Sequence, residues 1–508
     1  MVKYRRKDEV VEKAIAKGAI VNVLGTVGKA MMPVLFILIT RMYGPAIMGL
    51  FYLVYTFIDM VVSMTVSGFN DGMVMFLSRD IDEGEEKETL LYSIVANGFV
   101  VSILISIVLI SAAHLGGIEL LKSKYRQPEV LDMLKYLVWS LPFVFTPILA
   151  IAATKSLMIM KWDAIILGFF RPFFLILFST GFYFFNPTLV SLAHAYLLSA
   201  IVVALISLVV FYRYFSYRKL FQQIVHFRFY RPLITFAIPQ NLNMTFNTFI
   251  TNLDVVMLGY FQYSPQSIAF YAMGAQIVRN LRQVKLAFSS SYAPIIARLH
   301  VKKKYQEMND TFSMVSRWTS VIGFPIALLI VLFRNELVQV FHPSFTSDTT
   351  FMIVLLVPPL ISCTIGLSAN ILVMTGHSTF NMANSVLSAA INGTLNYILI
   401  PRYGLVGAAV ATGISALLIT LMILLEVRIL EKVSLKLSQI YRPYVAILLP
   451  IALLVLGERI LNISATWQRV VASLIVLAVY VGMLSLLKQK SDPSQKRLSL
   501  MEKLKSIM

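Results

Sequence analysis

Apolar runs of about twenty residues recur along the whole chain, separated by short polar breaks. Runs of that length predict membrane-spanning helices, whereas transmembrane barrels use much shorter alternating strands. The expected fold class is therefore all-α, a polytopic membrane protein. Spans are expected near 17–41, 47–70, 88–113, 131–153, 162–185, 188–211, 232–259, 265–289, 312–333, 350–374, 379–400, 405–427, 442–458 and 468–487, about fourteen helices in all.

Composition strengthens this picture. The 508 residues are 58% hydrophobic and only 14% charged, where soluble domains are about one quarter charged. A net charge of +19 raises the question of nucleic acid, but the cations sit in loops and tails between spans. There, positive charge records topology. With the N-terminus taken as cytoplasmic, about 29 cations fall inside and about 9 outside, so both termini are expected in the cytoplasm of a multi-pass cell-membrane protein. The opening MVKYRRKDEVVEKAIAKGAIV reads as a retained tail rather than a signal peptide. Cys363 is the only cysteine, so no intrachain disulfide or cysteine cluster is expected.

The spans repeat. RMYGPAIMGLFYLVYTF (Arg41–Phe57) resembles LGYFQYSPQSIAFYAMGAQ (Leu258–Gln276) at an offset of about 219 residues. NPTLVSLAHAYLLSA (Asn186–Ala200) resembles YGLVGAAVATGISA (Tyr403–Ala416) at a slightly smaller one. The expected organisation is a tail (1–16), an N-lobe of six spans (17–212), a linker (213–231), a C-lobe of six spans (232–428), two extra helices (442–487) and a tail (488–508). An even number of spans per unit makes the lobes parallel repeats about an axis along the membrane normal, the architecture of a rocking transporter.

ILIPRYGLVGAAVATGIS (Ile398–Ser415), preceded by Asn392 and Asn396, resembles the C-terminal signature of polysaccharide-export flippases. TFITNLDVVMLGYF (Thr248–Phe261) resembles their seventh helix and RMYGPAIMGLFYL their first helix turn. Those proteins share a superfamily with multidrug MATE exporters and the lipid II flippase MurJ. The resemblance implies a MATE-like fold and alternating-access export of an oligosaccharide carried on a polyprenyl phosphate or pyrophosphate.

Polar side chains within spans mark the candidate site, because against lipid they are costly. The first span carries Asn22, Thr26 and Lys29 on one face; the seventh carries Gln240, Asn243, Asn247, Thr251 and Asp254; the eleventh carries Asn392 and Asn396. In QIVRNLRQVKLAF, read as one continuous helix, Gln276, Arg279, Arg282 and Gln283 share a face, while Lys285 lies off it and is expected to snorkel toward headgroups.

The excess of intramembrane cations suits an anionic ligand, and guanidinium forks suit phosphate oxygens. Arg279, Arg282, Lys29 and Arg171 are the phosphate candidates; Asn22, Asn243, Asn247, Gln276, Gln283 and Asn392 are the sugar-binding candidates. Arg171 precedes Pro172, so a structural role at a kink stays open. Asp254 and Asp59 are candidates for ion coupling or for a salt bridge, with Asp254 paired to Lys29 or Arg279 in the second case. His194 is expected to be structural. The acidic patch DIDEGEEKE (Asp80–Glu88) reads as a solvated loop.

The expected function is flipping of a lipid-linked anionic oligosaccharide, without an enzymatic reaction. No cofactor or metal is expected beyond coupling by Na+ or H+. Membrane lipids and glycan-assembly enzymes are the expected partners of a monomer, with no nucleic acid. The alternatives are a cation-coupled multidrug exporter, a lipid II flippase, or a membrane-embedded polymerase or glycosyltransferase. A cavity for cationic drugs should be acidic, and the first helix here carries Lys29 instead.

Overall fold

A computed structural model describes the backbone of residues 2–77, 85–117, 128–157, 159, 161–460 and 466–487. Side chains are described from residue 31 onward within these segments, apart from short gaps. Most of the acidic patch and the side chains of Asn22, Thr26 and Lys29 lie outside the described residues.

Among the described residues every regular element is helical. In chain order they are α1 (Val2–Thr65), α2 (Ser67–Leu77), α3 (Glu85–Ala112), α4 (Pro128–Leu137), α5 (Leu141–Ser156), α6 (Arg171–Phe185), α7 (Leu189–Tyr212), α8 (Tyr217–Val225), α9 (Arg231–Tyr260) and α10 (Pro265–Arg279). There follow α11 (Arg282–Val301), α12 (Tyr305–Leu332), α13 (Arg334–Gln339), α14 (Thr350–Leu355), α15 (Val357–Ile365), α16 (Ser368–Met374), α17 (Ser378–Leu430), α18 (Leu437–Ile460) and α19 (Thr466–Leu486). A π-helical segment, Asp163–Phe170, leads directly into α6.

Eight helices among the described residues are long and apolar enough to cross a membrane, or nine if the bent run Thr350–Met374 counts as one span. Part of the difference from fourteen has two physical sources. Two of the eight, Met31–Leu77 and Met382–Leu430, are 47 and 49 residues long. Straight, each would measure about 70 Å, more than twice a hydrocarbon core. Both fold back at a glycine: Gly44 (φ 86°) before Pro45, and Gly404 (φ 59°) after Pro401. Phe36 meets Tyr52 and Tyr55 across the first bend, and Asn392 meets Thr412 across the second. A β-carbon at Gly44 would touch nothing, so its positive φ alone demands glycine there. The second source lies in α9–α11: α9 and α11 carry polar side chains along their length, and α10 is only 15 residues long, ending at the turn before α11.

The chain forms two compact units. The first gathers Met1–Gln276, Asn335–Leu355 and Met382–Ala416. Within it the internal repeat is visible in single hydrogen bonds. The Tyr43 hydroxyl, beside the first bend, donates to the Ser179 carbonyl on α6 at 2.6 Å. Tyr263, at the matching α9–α10 turn, donates to the Ile400 carbonyl at 3.1 Å. In each half a tyrosine of the first turn thus ties down the fifth expected span.

The second unit gathers Ile277–Arg334, Leu356–Asn381 and Leu417–Met508. Here α18 and α19 pack on α12 through Phe324, Ala446 and Tyr480 and through Leu328, Leu332 and Val476. Three helix ends converge on the buried Glu431. Its carboxylate lies 3.1 Å from His300 Nε2 and 2.9 Å from His377 Nε2. The following linker is stitched to α12: Asn309 accepts from the Ser434 amide, Ser313 from the Lys436 amide, and Lys436 pairs with Asp310 at 2.5 Å.

Candidate functional site

The most completely built polar group in the first unit is Asp254. It sits near the end of α9 and is 6% exposed. A carboxylate taken from water is costly unless donors replace its hydration. Three side chains do so. Tyr271 from α10 donates to Oδ2 at 2.5 Å, Asn396 Nδ2 donates to Oδ1 at 2.9 Å, and Thr412 Oγ1 lies 2.8 Å from both oxygens. Asn392 supports this ring from behind, donating to Thr412 at 3.0 Å and to Ser415 at 3.2 Å, and accepting from Asn396 at 3.1 Å. These hydrogen-bond donors are all neutral. Asn396 Oδ1 is buried with no partner, an acceptor in excess of what the ring consumes.

A second centre occupies the matching helices of the first half. Arg171 opens α6 where the π-helical segment ends, a local geometry frequent at functional sites. Tyr55 and Asp59, one turn apart on α1, and Tyr196 on α7 lie within its electrostatic reach. Tyr55, Tyr196, Ser199 and Arg171 line a cavity of about 20 Å³, room for one water. The Tyr196 hydroxyl is buried against the Arg171 guanidinium. Sequence alone left Arg171 open between kink and phosphate site; in the structure it is buried with Tyr55, Tyr196 and Asp59 within its electrostatic reach.

The two centres use repeat-equivalent helices. Tyr55 and Tyr271 stand on the second span of each half, Arg171 and Asn396 on the fifth, Tyr196 and Thr412 on the sixth. The charged residues differ in sign.

A third feature is a tight seam between α2 and α9. Gly68 and Gly72 form a G-x-x-x-G face that admits close helix approach. A β-carbon on Gly68 would lie 2.2 Å from the Ala237 carbonyl oxygen. Asn241 clasps the seam, accepting from the Gly68 amide at 2.6 Å and donating to the Thr65 carbonyl at 3.1 Å. One residue earlier, Gln240 donates to Asp71 at 2.9 Å.

The remaining candidates divide. Asn243 is half-buried and Asn247 exposed, with Asn247 donating to the Asn243 carbonyl, so the stripe on α9 continues between seam and carboxylate. Asn392 belongs to the Asp254 ring. His194 packs between Tyr136 and Phe182, as a structural residue does. In QIVRNLRQVKLAF the structure departs from the continuous helix. α10 ends at Arg279 and α11 starts at Arg282, across a turn of successive i→i−3 bonds from Asn280 to Ile277 and from Leu281 to Val278. Three residues per turn bring positions three apart nearly into line. Arg279 and Arg282, both half-buried, therefore keep a common edge, whereas Gln283 is exposed. Lys285 is half-buried and lies within electrostatic reach of Arg282 and Cys363.

Tyr271 and Thr412 were not singled out by sequence. Their only signal was position: Tyr271 lies in the repeated Phe-Tyr pair and Thr412 in the repeated YGLVGAAVATGISA segment.

The helical fold and its buried polar centres define a membrane transporter of the flippase and exporter class. The chain belongs to the polysaccharide biosynthesis protein family, whose model matches residues 15–300, and a MatE model matches residues 239–398. Together these place it in the superfamily that contains MurJ and the MATE exporters. No curated protein sequence matches it.

Among solved structures it is similar to the lipid II flippase MurJ in an inward closed conformation (TM-score 0.70, 14% identity, covering 92% of this chain and 98% of that one). It is also similar to an inward-facing multidrug resistance MATE transporter (0.65, 14%, 81% and 99%). A third is a transporter of the same superfamily from Pyrococcus furiosus, described as having a binding pocket of reversed polarity that suggests a different function (0.58, 13%, 82% and 96%).

Proposed function

We propose that the protein flips a polyprenyl phosphate- or pyrophosphate-linked oligosaccharide from the cytoplasmic to the outer leaflet of the cell membrane. The observation that carries this reading is a groove in the second unit. About 530 Å³ in volume, it is walled by apolar residues including Leu424, Leu425, Val433 and Tyr444, with Arg428 in its lining. An apolar channel with a cation suits a lipid tail ending in phosphate. One of the two helices that the repeat does not account for, α18, supplies Tyr444 and one wall.

In this account Arg279, Arg282 and Lys29 meet phosphate, and Asn22, Asn243, Asn247, Gln276 and Gln283 meet sugar hydroxyls. Arg171 is reassigned from the phosphate to the Asp59 centre. Moving negative charge outward from an inside-negative cell is favourable by about 2.3 kcal/mol per charge per 100 mV, so membrane potential contributes to the drive.

The Asp254 ring adds ion coupling. Rotating the Asn396 amide end for end turns a donor into an acceptor. Its oxygen, the carboxylate and the Thr412 hydroxyl then form an all-oxygen site for Na+, and protonation of Asp254 is the competing route. The test of the phosphate assignment is replacement of Arg279 and Arg282 by alanine: surface glycan export is expected to stop while the protein stays in the membrane. Unchanged export refutes the assignment.

The Asp254 ring and the MatE match also favour a second reading, a cation-coupled drug exporter. Expression in a drug-sensitive host separates the two, because protection against cationic drugs supports the exporter and its absence supports the flippase.

A further inference from the structure

The short helix α8 stands outside both polar centres. It joins two spans, α7 and α9, through linkers of four and five residues. A four-residue linker reaches at most about 14 Å, so α8 cannot leave the neighbourhood of the span ends. Two contacts fix it closer still. Tyr217 donates to the Leu208 carbonyl at 2.6 Å and stacks on Tyr212, which folds the start of α8 back beside the last turn of α7. The Ser216 amide bonds Tyr92 and Lys219 pairs with Glu88, which pins the same end to α3.

At 100° per residue Leu220, Ile224, Tyr217, Phe221 and Val225 form one apolar stripe. The protein covers only its Leu220 edge. Phe221 is 66% exposed and Val225 61%, and Phe229 just beyond is 64% exposed. Arg218 lies beside this uncovered edge. From Arg213 to Arg231 the chain carries Arg213, Arg218, Lys219, Arg228 and Arg231, every one exposed, and no acidic residue.

From this we infer that α8 is an interfacial helix that binds anionic phospholipid: Phe221 and Val225 enter the acyl boundary while Arg218 and its neighbouring cations hold the headgroups. An apolar face beside cations at the depth of a span's last turn is the arrangement such helices use, and a solvated linker has no use for exposed phenylalanines there. Only a leaflet surface meets both the apolar edge and the charge. The inference stands whatever the protein transports.

The test uses the full-length protein reconstituted in vesicles, with Phe221→Trp as reporter and the wild-type signal subtracted. In phosphatidylcholine vesicles containing one quarter phosphatidylglycerol, bromine is placed either on the phosphatidylglycerol or on an equal amount of phosphatidylcholine. The reporter is expected to be quenched by both, and about twofold or more strongly when the anionic lipid carries the bromine. In the background R218Q/K219Q/R228Q, checked for an unchanged melting temperature, that ratio is expected to fall to about one. Absence of reporter quenching places α8 in water and overturns the proposal. Equal quenching by the two lipids in the unmutated background, or a ratio that survives neutralisation, overturns the anionic preference.

Discussion

Two buried centres, built on equivalent helices of the two halves, have opposite chemistry. The Asp254 centre surrounds its carboxylate with hydroxyl and amide donors, one of which ends in an acceptor without a partner. In the Arg171 centre the neighbours are two tyrosines, Tyr55 and Tyr196, which line a water-sized cavity with it, and then an opposite charge, Asp59. The difference teaches what each can exchange. Hydroxyl and amide dipoles around a carboxylate can turn to admit a cation or a proton, whereas a guanidinium has only donors to offer. Corresponding helices of the two halves thus carry different side chains at their centres.

The comparison breaks most sharply at the charges themselves. Asp254→Ala removes the anion the ring serves, and transport is expected to fall at least about a hundredfold, equivalent to about 2.7 kcal/mol. A Na+-dependent rise in melting temperature should vanish with it. A D254A protein that transports normally would make the ring merely structural.

Next is Arg171→Ala, which removes the cation within electrostatic reach of Asp59 and is expected to cost about 1–3 kcal/mol of stability. R171A/D59N should recover most of it, because the second change removes the stranded charge. Denaturation of the four proteins in detergent gives the coupling directly. Strict additivity would show that the two residues do not form a pair.

The tyrosines then sharpen the contrast. Tyr271→Phe deletes a donor to a carboxylate and is expected to cost about 1.5–3 kcal/mol. Tyr196→Phe deletes a hydroxyl beside a guanidinium that also has Tyr55 and Asp59 within reach, and is expected to cost less, about 0.5–1.5 kcal/mol. Equal effects would mean that the two centres are alike after all.

The fold was readable because its causes are periodic. Long apolar runs gave the helical membrane class, and the similar segments Arg41–Phe57 and Leu258–Gln276, with Asn186–Ala200 and Tyr403–Ala416, gave the expected repeat, at whose corresponding turns the Tyr43 and Tyr263 bonds stand. Asp254 and Asn392 were readable because polar groups in apolar spans are costly. Their partners were not. Tyr271 and Thr412 are unremarkable in a span until another helix places a carboxylate against them, and no local pattern carries that distance. Arg171 and Asp59 were each seen, but their pairing depends on α1 and α6 meeting across more than a hundred residues of chain. The Arg279–Lys285 stretch failed for a different reason. A periodicity of 3.6 assumes an unbroken helix, and the tight turn at Asn280–Leu281 changes the angular bookkeeping over just those residues.

The central claim is that this chain moves a lipid-linked oligosaccharide with the Asp254 centre in its working cycle. It is tested most directly by mass spectrometry of lipid extracts from a strain of the source organism lacking the protein, complemented with wild type or with D254A at matched membrane levels. The account predicts that a polyprenyl-linked oligosaccharide accumulates in the deletion strain, clears with the wild type and persists with D254A. A deletion strain whose lipid-linked oligosaccharides are unchanged would contradict it.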